Sequence, residues 1–111
     1  MSVVSVVKLR LDPGDAARIL SEAAGVLQGE SATQLGFLAA EIFVSHDRKT
    51  IVILTEWTDL HAWSKSRYDV RVGKMLEDCV AASSEIEFEI YDRHAHFLPS
   101  SNAELVDDDR D

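Results

Sequence analysis

The sequence lacks most of what would tie a chain to a membrane, a nucleic acid or an oxidising compartment. It has one cysteine, Cys79, so no internal disulfide can form, which fits a reducing cytoplasm. No apolar run approaches the roughly 20 residues that a membrane span needs. A basic surplus is missing as well: 11 Lys and Arg stand against 20 Asp and Glu, a net charge of −9. Phosphate binding needs a basic surface, so nucleic acid is excluded as a partner. There is no CxxC or HExxH spacing, and no metal site is read from the sequence. The N-terminal MSVVSVVKLRL has neither a basic leader nor a small-residue cleavage site after it, and reads as a strand rather than a signal peptide.

What is present is enough for one domain and one core. The 111 residues are 46% hydrophobic and 28% charged, ordinary values for a globular chain. The acidity is uneven. Residues 98–111 carry Glu104, Asp107, Asp108, Asp109 and Asp111 against Arg110, which leaves an unexceptional charge on the body. That segment, LPSSNAELVDDDRD, has no aromatic residue and no periodicity, and is expected to be a mobile tail on a single domain spanning 1–97.

Taken in order, residues 3–11 alternate as a strand, with Ser5, Val7, Leu9 and Leu11 on the face expected to be buried. Asp12-Pro13-Gly14-Asp15 starts a helix, with Asp12 as N-cap and Pro13 at the first helical position. Its apolar stripe is Ala16, Ile19, Leu20, Ala23 and Leu27, and Gly29 is expected to end it. Residues 36–45 (GFLAAEIFVS) and about 50–57 read as strands joined by the polar turn HDRK, hence a hairpin. On the first of these, Phe37, Ala39 and Phe43 would share one face, and Leu38, Ala40, Ile42 and Val44 the other. A helical region follows Asp59, interrupted near residues 67–69, and then places Val72, Leu76, Cys79 and Val80 on one stripe. The last strand alternates cleanly, with Ile86, Phe88 and Ile90 against Glu85, Glu87 and Glu89.

Strand, helix, strand, strand, helix, strand is the α+β plan of the ferredoxin-like fold, a βαββαβ unit with an antiparallel sheet and both helices on one face. Both faces of residues 36–45 are apolar, so the uncovered side of the sheet calls for a second sheet, and a homodimer is the simplest cover.

Three features carry a resemblance to a known family. They are the helix start Leu11-Asp12-Pro13-Gly14, the strand opening Gly36-Phe37-Leu38, and the hydrophobic strand ending Glu56-Trp57-Thr58-Asp59. In these the chain, over roughly residues 3–92, resembles the antibiotic-biosynthesis monooxygenases of the dimeric α+β barrel superfamily. The resemblance implies a homodimer of face-to-face sheets, each protomer keeping a small pocket between sheet and helices. Known members include cofactor-free monooxygenases that oxidise polyketide phenols to quinones, haem-degrading enzymes, cyclases and isomerases. The haem-degrading branch carries an asparagine on the first strand and a histidine on the second helix. The matching positions here are Val7 and about Val72, so haem degradation is disfavoured.

For a phenol-oxidising enzyme without metal or flavin, the protein must bind the aromatic, stabilise its anion and admit oxygen to a dry pocket. Candidate catalytic residues are Trp63, Tyr68 and His61, with Ser5, Val7, Leu9 and Arg67 as candidate substrate-binding residues. Trp57 is assigned a structural role at the turn. Set against these, Trp63 as plain core and His61, Arg67 and Tyr68 as polar helix surface are readings of equal or greater weight. His94 and His96 could share a metal with Asp92 if the strand continued; an arm beyond a strand ending at Asp92 is the preferred reading. The leading function is a cofactor-independent monooxygenase acting on an aromatic, polyketide-like phenol. The alternative is a non-catalytic ligand-binding or interaction domain on the same scaffold.

Overall fold

In the computed structural model, which describes residues 2–100, the first strand is β1, Val3–Leu11. Side chains alternate along it, so Val3, Ser5, Val7, Leu9 and Leu11 are buried while Lys8 and Arg10 are exposed. It is the central organiser of the sheet, pairing antiparallel with both β3 (Thr50–Trp57) and β4 (Ser83–Asp92). With β2 (Phe37–Val44) outside β3, the order is β2-β3-β1-β4. This is the expected βαββαβ plan, with all helices on one face. Residues 93–100 follow the sheet without regular structure. The acidic stretch 101–111, most of the expected tail, lies outside the described residues.

Helix α1 (Pro13–Gly29) buries Ala16, Ile19, Ala23, Val26 and Leu27. Asp12 occupies its N-cap, but its side chain makes no capping bond; its carbonyl instead accepts from the Asp15 amide at 2.9 Å. Gly29 is the helix's last residue rather than its terminator, and a short 3-10 turn, Ser31–Thr33, follows. The second helical region breaks where expected, into α2 (Leu60–Ser66) and α3 (Val70–Ala82). Each half has its own cap: the Asp59 carboxylate accepts from the Ala62 amide, and that of Asp69 from the Arg71 and Val72 amides.

Two expectations of facing are corrected. On α3 the buried stripe is Val72, Met75 and Cys79, whereas Val80 is 49% exposed. Spacings of three and four residues carry the stripe from Val72 through Met75 to Cys79, and Val80 stands about 100° further round the helix. On β2, Phe37 lies opposite Trp57 and joins Ala40, Ile42 and Val44 on the helix-covered face. A bulge between Phe37 and Ala39 takes up Leu38 as an extra residue and so flips the register. Ala39, Glu41 and Phe43 therefore face outward.

Leu9, Ile19, Ile51 and Cys79 are fully enclosed at the centre of the sheet-on-helix layer. Burial, followed by the charges of Glu22 and Asp78, pushes the Cys79 thiol up to about 11, so it is a small apolar core residue and an unreactive one. No helix among the described residues is long and apolar enough to cross a membrane.

Candidate functional site

The helices do not cover the sheet completely. Between the α2–α3 segment and the strands lies a cavity of about 310 Å³, at the small end of ligand sites, which run from roughly 300 Å³ upward. Its floor is the inward side of three paired strands: Val7 of β1 lies between Ile53 of β3 and Phe88 of β4, with Thr55, Trp57 and Ile90 alongside. Its roof is Trp63, Ser66 and Arg67 of α2 and its break, with Val72, Met75 and Leu76 of α3. Leu27 and Ser31 close the end nearest α1.

The roof follows from helical spacing. Trp63, Ser66 and Arg67 stand at i, i+3 and i+4, so they share the face of α2 that looks at the sheet. The arginine guanidinium carbon lies 5.1 Å from the Trp63 ring centroid, a cation–π stack at the mouth. On the floor, Trp57 is 2% exposed and packs edge-on against Phe37 with ring centroids 5.4 Å apart.

Polar groups in the wall are few. The Trp57 indole N–H donates to Thr55 Oγ1 at 2.9 Å, which leaves the threonine proton to be donated onward. Ser66 Oγ donates to the Trp63 carbonyl at 2.6 Å, keeping its lone pairs as acceptors. Arg67 is the one charged side chain in the wall, and none of the wall residues is a carboxylate, histidine or tyrosine.

Of the residues singled out from the sequence, the cavity therefore gathers Val7, Trp63 and Arg67. Ser5 and Leu9 are buried on the same face of β1 but do not line it. His61 is exposed on α2, and Tyr68, 84% exposed, lies in the break between helices; neither lines the cavity. Two and five residues from Trp63, they point away from the side that carries it. Trp57, read from the sequence as structural only, is also wall. Sequence reasoning missed Thr55, Ser66, Met75, Phe88 and Ile90 as lining residues. Val72 is in the wall too, so both positions where the haem-degrading branch would differ contribute only aliphatic surface.

Outside the cavity, Arg93 clasps the outward-facing Glu56, with Nε and Nη2 at 2.7 and 2.9 Å from its two oxygens. Ser2 Oγ donates to the same carboxylate, and the Arg93 amide donates to the Ser2 carbonyl. Arg93 first, and then Ser2, hold Glu56 below the usual carboxylate range. Arg93 Nη1 also lies 3.1 Å from His96 Nδ1. The sheet has ended at Asp92, so His94 and His96 belong to an arm rather than to a strand register. Among the described residues, no three His, Cys, Asp or Glu side chains form a group that could hold a metal.

Comparison with known proteins bears on the same architecture. The sequence pattern of the antibiotic biosynthesis monooxygenase family matches residues 2–68, from β1 to the end of α2. None of the functionally curated proteins matches the chain in sequence. Among solved structures, a monooxygenase of Streptomyces coelicolor in complex with the ligand nanaomycin D is 22% identical, with a TM-score of 0.76 over 89% of this chain and 93% of that one. A conserved protein of Methanosarcina mazei is 14% identical, with a TM-score of 0.76 over 84% and 93%. A protein of Mycobacterium tuberculosis is 8% identical, with a TM-score of 0.76 over 86% and 98%. At these identities the likeness is one of fold.

Proposed function

The chain belongs to the antibiotic biosynthesis monooxygenase family, and from that premise we propose that it oxidises an aromatic, polyketide-like phenol to a quinone with molecular oxygen and no bound cofactor. The observation that carries this reading is the apolar cavity walled by Trp57, Trp63 and Phe88. Flat aromatic rings fit between such walls, and a water-poor site suits electron transfer from an ionised phenol to oxygen. In the net reaction a ring CH2 becomes C=O. One oxygen atom enters the product, the other leaves as water with the two displaced hydrogens, and the substrate itself supplies the electrons.

The side chains of the wall have defined parts in this reading. Thr55 donates its hydroxyl proton to the phenolate oxygen, Ser66 accepts from a second substrate hydroxyl, and Val7 packs against the rings. Trp63 closes the site from above. Ser5 and Leu9 support the floor from the next positions on β1. His61 and Tyr68, which point away from the cavity, have no contact with substrate in this reading.

A second reading, a ligand-binding domain without turnover, draws on one observation: no general base lines the cavity. The two separate in one assay. Oxygen uptake with an anthrone-type phenol should exceed the spontaneous rate and fall in Trp63→Ala. Folded protein that binds the phenol with no uptake above background leaves only the binding reading.

We further propose a homodimer formed through the outer sheet face. Val4, Val6, Val52, Leu54 and Phe43 make that face apolar at its centre. The proposed setting is the cytoplasm, where Cys79 remains a free thiol.

A further inference from the structure

We infer that the cavity selects an aromatic monoanion, with its acidic group held at the mouth by Arg67 and its rings inside. This rests on the reading of the cavity as a substrate site and adds the charge of what it takes. Stacking against Trp63 orients the planar guanidinium at the lip of the cavity. Arg67 has no ion-pair partner among the described residues, and of the basic side chains without one it alone lines the cavity. An unpaired arginine fork beside an apolar chamber is suited to a planar carboxylate, which it can hold through two parallel hydrogen bonds.

The surroundings make the attraction local. A shallow groove continues outward from the mouth past Arg67, Leu76 and Phe88, and it carries Glu77. The chain as a whole bears a net charge of −9. An anion is therefore repelled by most of the surface and attracted beside Arg67. A neutral aromatic of the same shape forgoes the ion pair, and a second negative charge further out meets Glu77. The preference is for one charge at one end.

The test uses the full chain and two probes of one shape, anthraquinone-2-carboxylate and its primary carboxamide, titrated by quenching of the tryptophan fluorescence at neutral pH. The wild type should bind the carboxylate about fivefold more tightly, the upper end for a partly exposed ion pair, and added salt should erode the preference. Arg67→Gln should bind both probes alike, and Arg67→Lys should retain part of the preference. Equal binding of the two probes by the wild type, or a preference that survives in Arg67→Gln, overturns the assignment and leaves the cavity reading standing. Binding of neither probe overturns both.

Discussion

The two faces of the sheet are built from the same strands and have opposite fates. On the inner face every strand contributes aliphatic or aromatic side chains, three helices cover them, and the cavity lies where that cover is incomplete. On the outer face no helix among the described residues covers Val4, Val6, Leu54 and Phe43, and only the arm at residues 93–95 borders Val4, Val6 and Leu54. That face is also graded along its length. At one end of the β1–β4 pair, Lys8 and Arg10 stand opposite Glu87 and Glu85, whereas Val4 stands opposite Tyr91 toward the other. The comparison teaches that alternation in a strand specifies two surfaces at once. One is satisfied within the chain, and the other is the face through which the homodimer is proposed to form.

Removing one leucine from each face separates the two surfaces most clearly. Leu9→Ala, at the centre of the inner core, should cost about 3 kcal/mol in urea unfolding. Leu54→Glu should leave the protomer folded and convert the proposed dimer to a monomer, read by light scattering after size exclusion. A dimer persisting in Leu54→Glu would remove the outer face from the interface. On the inner side, Trp63→Ala deletes one aromatic wall. Aromatic probes should then bind about tenfold more weakly, the upper range for such a contact, while the circular dichroism spectrum is unchanged.

The outer face also has a pH-dependent clasp. Glu56 is held below its ordinary pKa in the folded chain, so its contribution is complete above the ordinary carboxylate value and is lost as pH falls through the lowered one. The wild-type Tm should therefore drop more steeply than that of Glu56→Gln between about pH 5 and pH 2, and the two should converge at the acid end. The smallest effects belong to the candidates that lie outside the cavity. His61→Ala and Tyr68→Phe should each change oxygen uptake by less than about threefold, below the range of a positioned acid–base group.

The fold was readable because its signals are local. Period-two alternation in residues 3–11 and 85–90, Pro13 at a helix start, and a break before Asp69 each act within a few residues. The inner wall was only partly readable. Trp63 and Arg67 announce themselves by residue type, and the i, i+3, i+4 spacing could have added Ser66 and set aside His61 and Tyr68. Phe88 and Ile90 enter the wall because β4 pairs with β1, a registration between residues about eighty apart in sequence that no local pattern contains. Trp57 is legible as a strand end, yet its role in the wall depends on its contacts with Thr55 and Phe37, and the facing of Phe37 is set by the bulge. The bulge between Phe37 and Ala39 has no sequence signature beyond the neighbouring Gly36, which takes a φ of 89°.

That bulge has a consequence for assembly. β2 is an edge strand, and an unbroken edge offers a ladder of amides and carbonyls to any passing strand. The extra residue at Leu38 interrupts the regular spacing of that ladder, so a foreign strand cannot pair along its whole length. Lateral growth of the sheet, the route toward fibres, is thereby discouraged at this edge. The proposed homodimer uses the sheet face instead, and leaves this edge out of the contact.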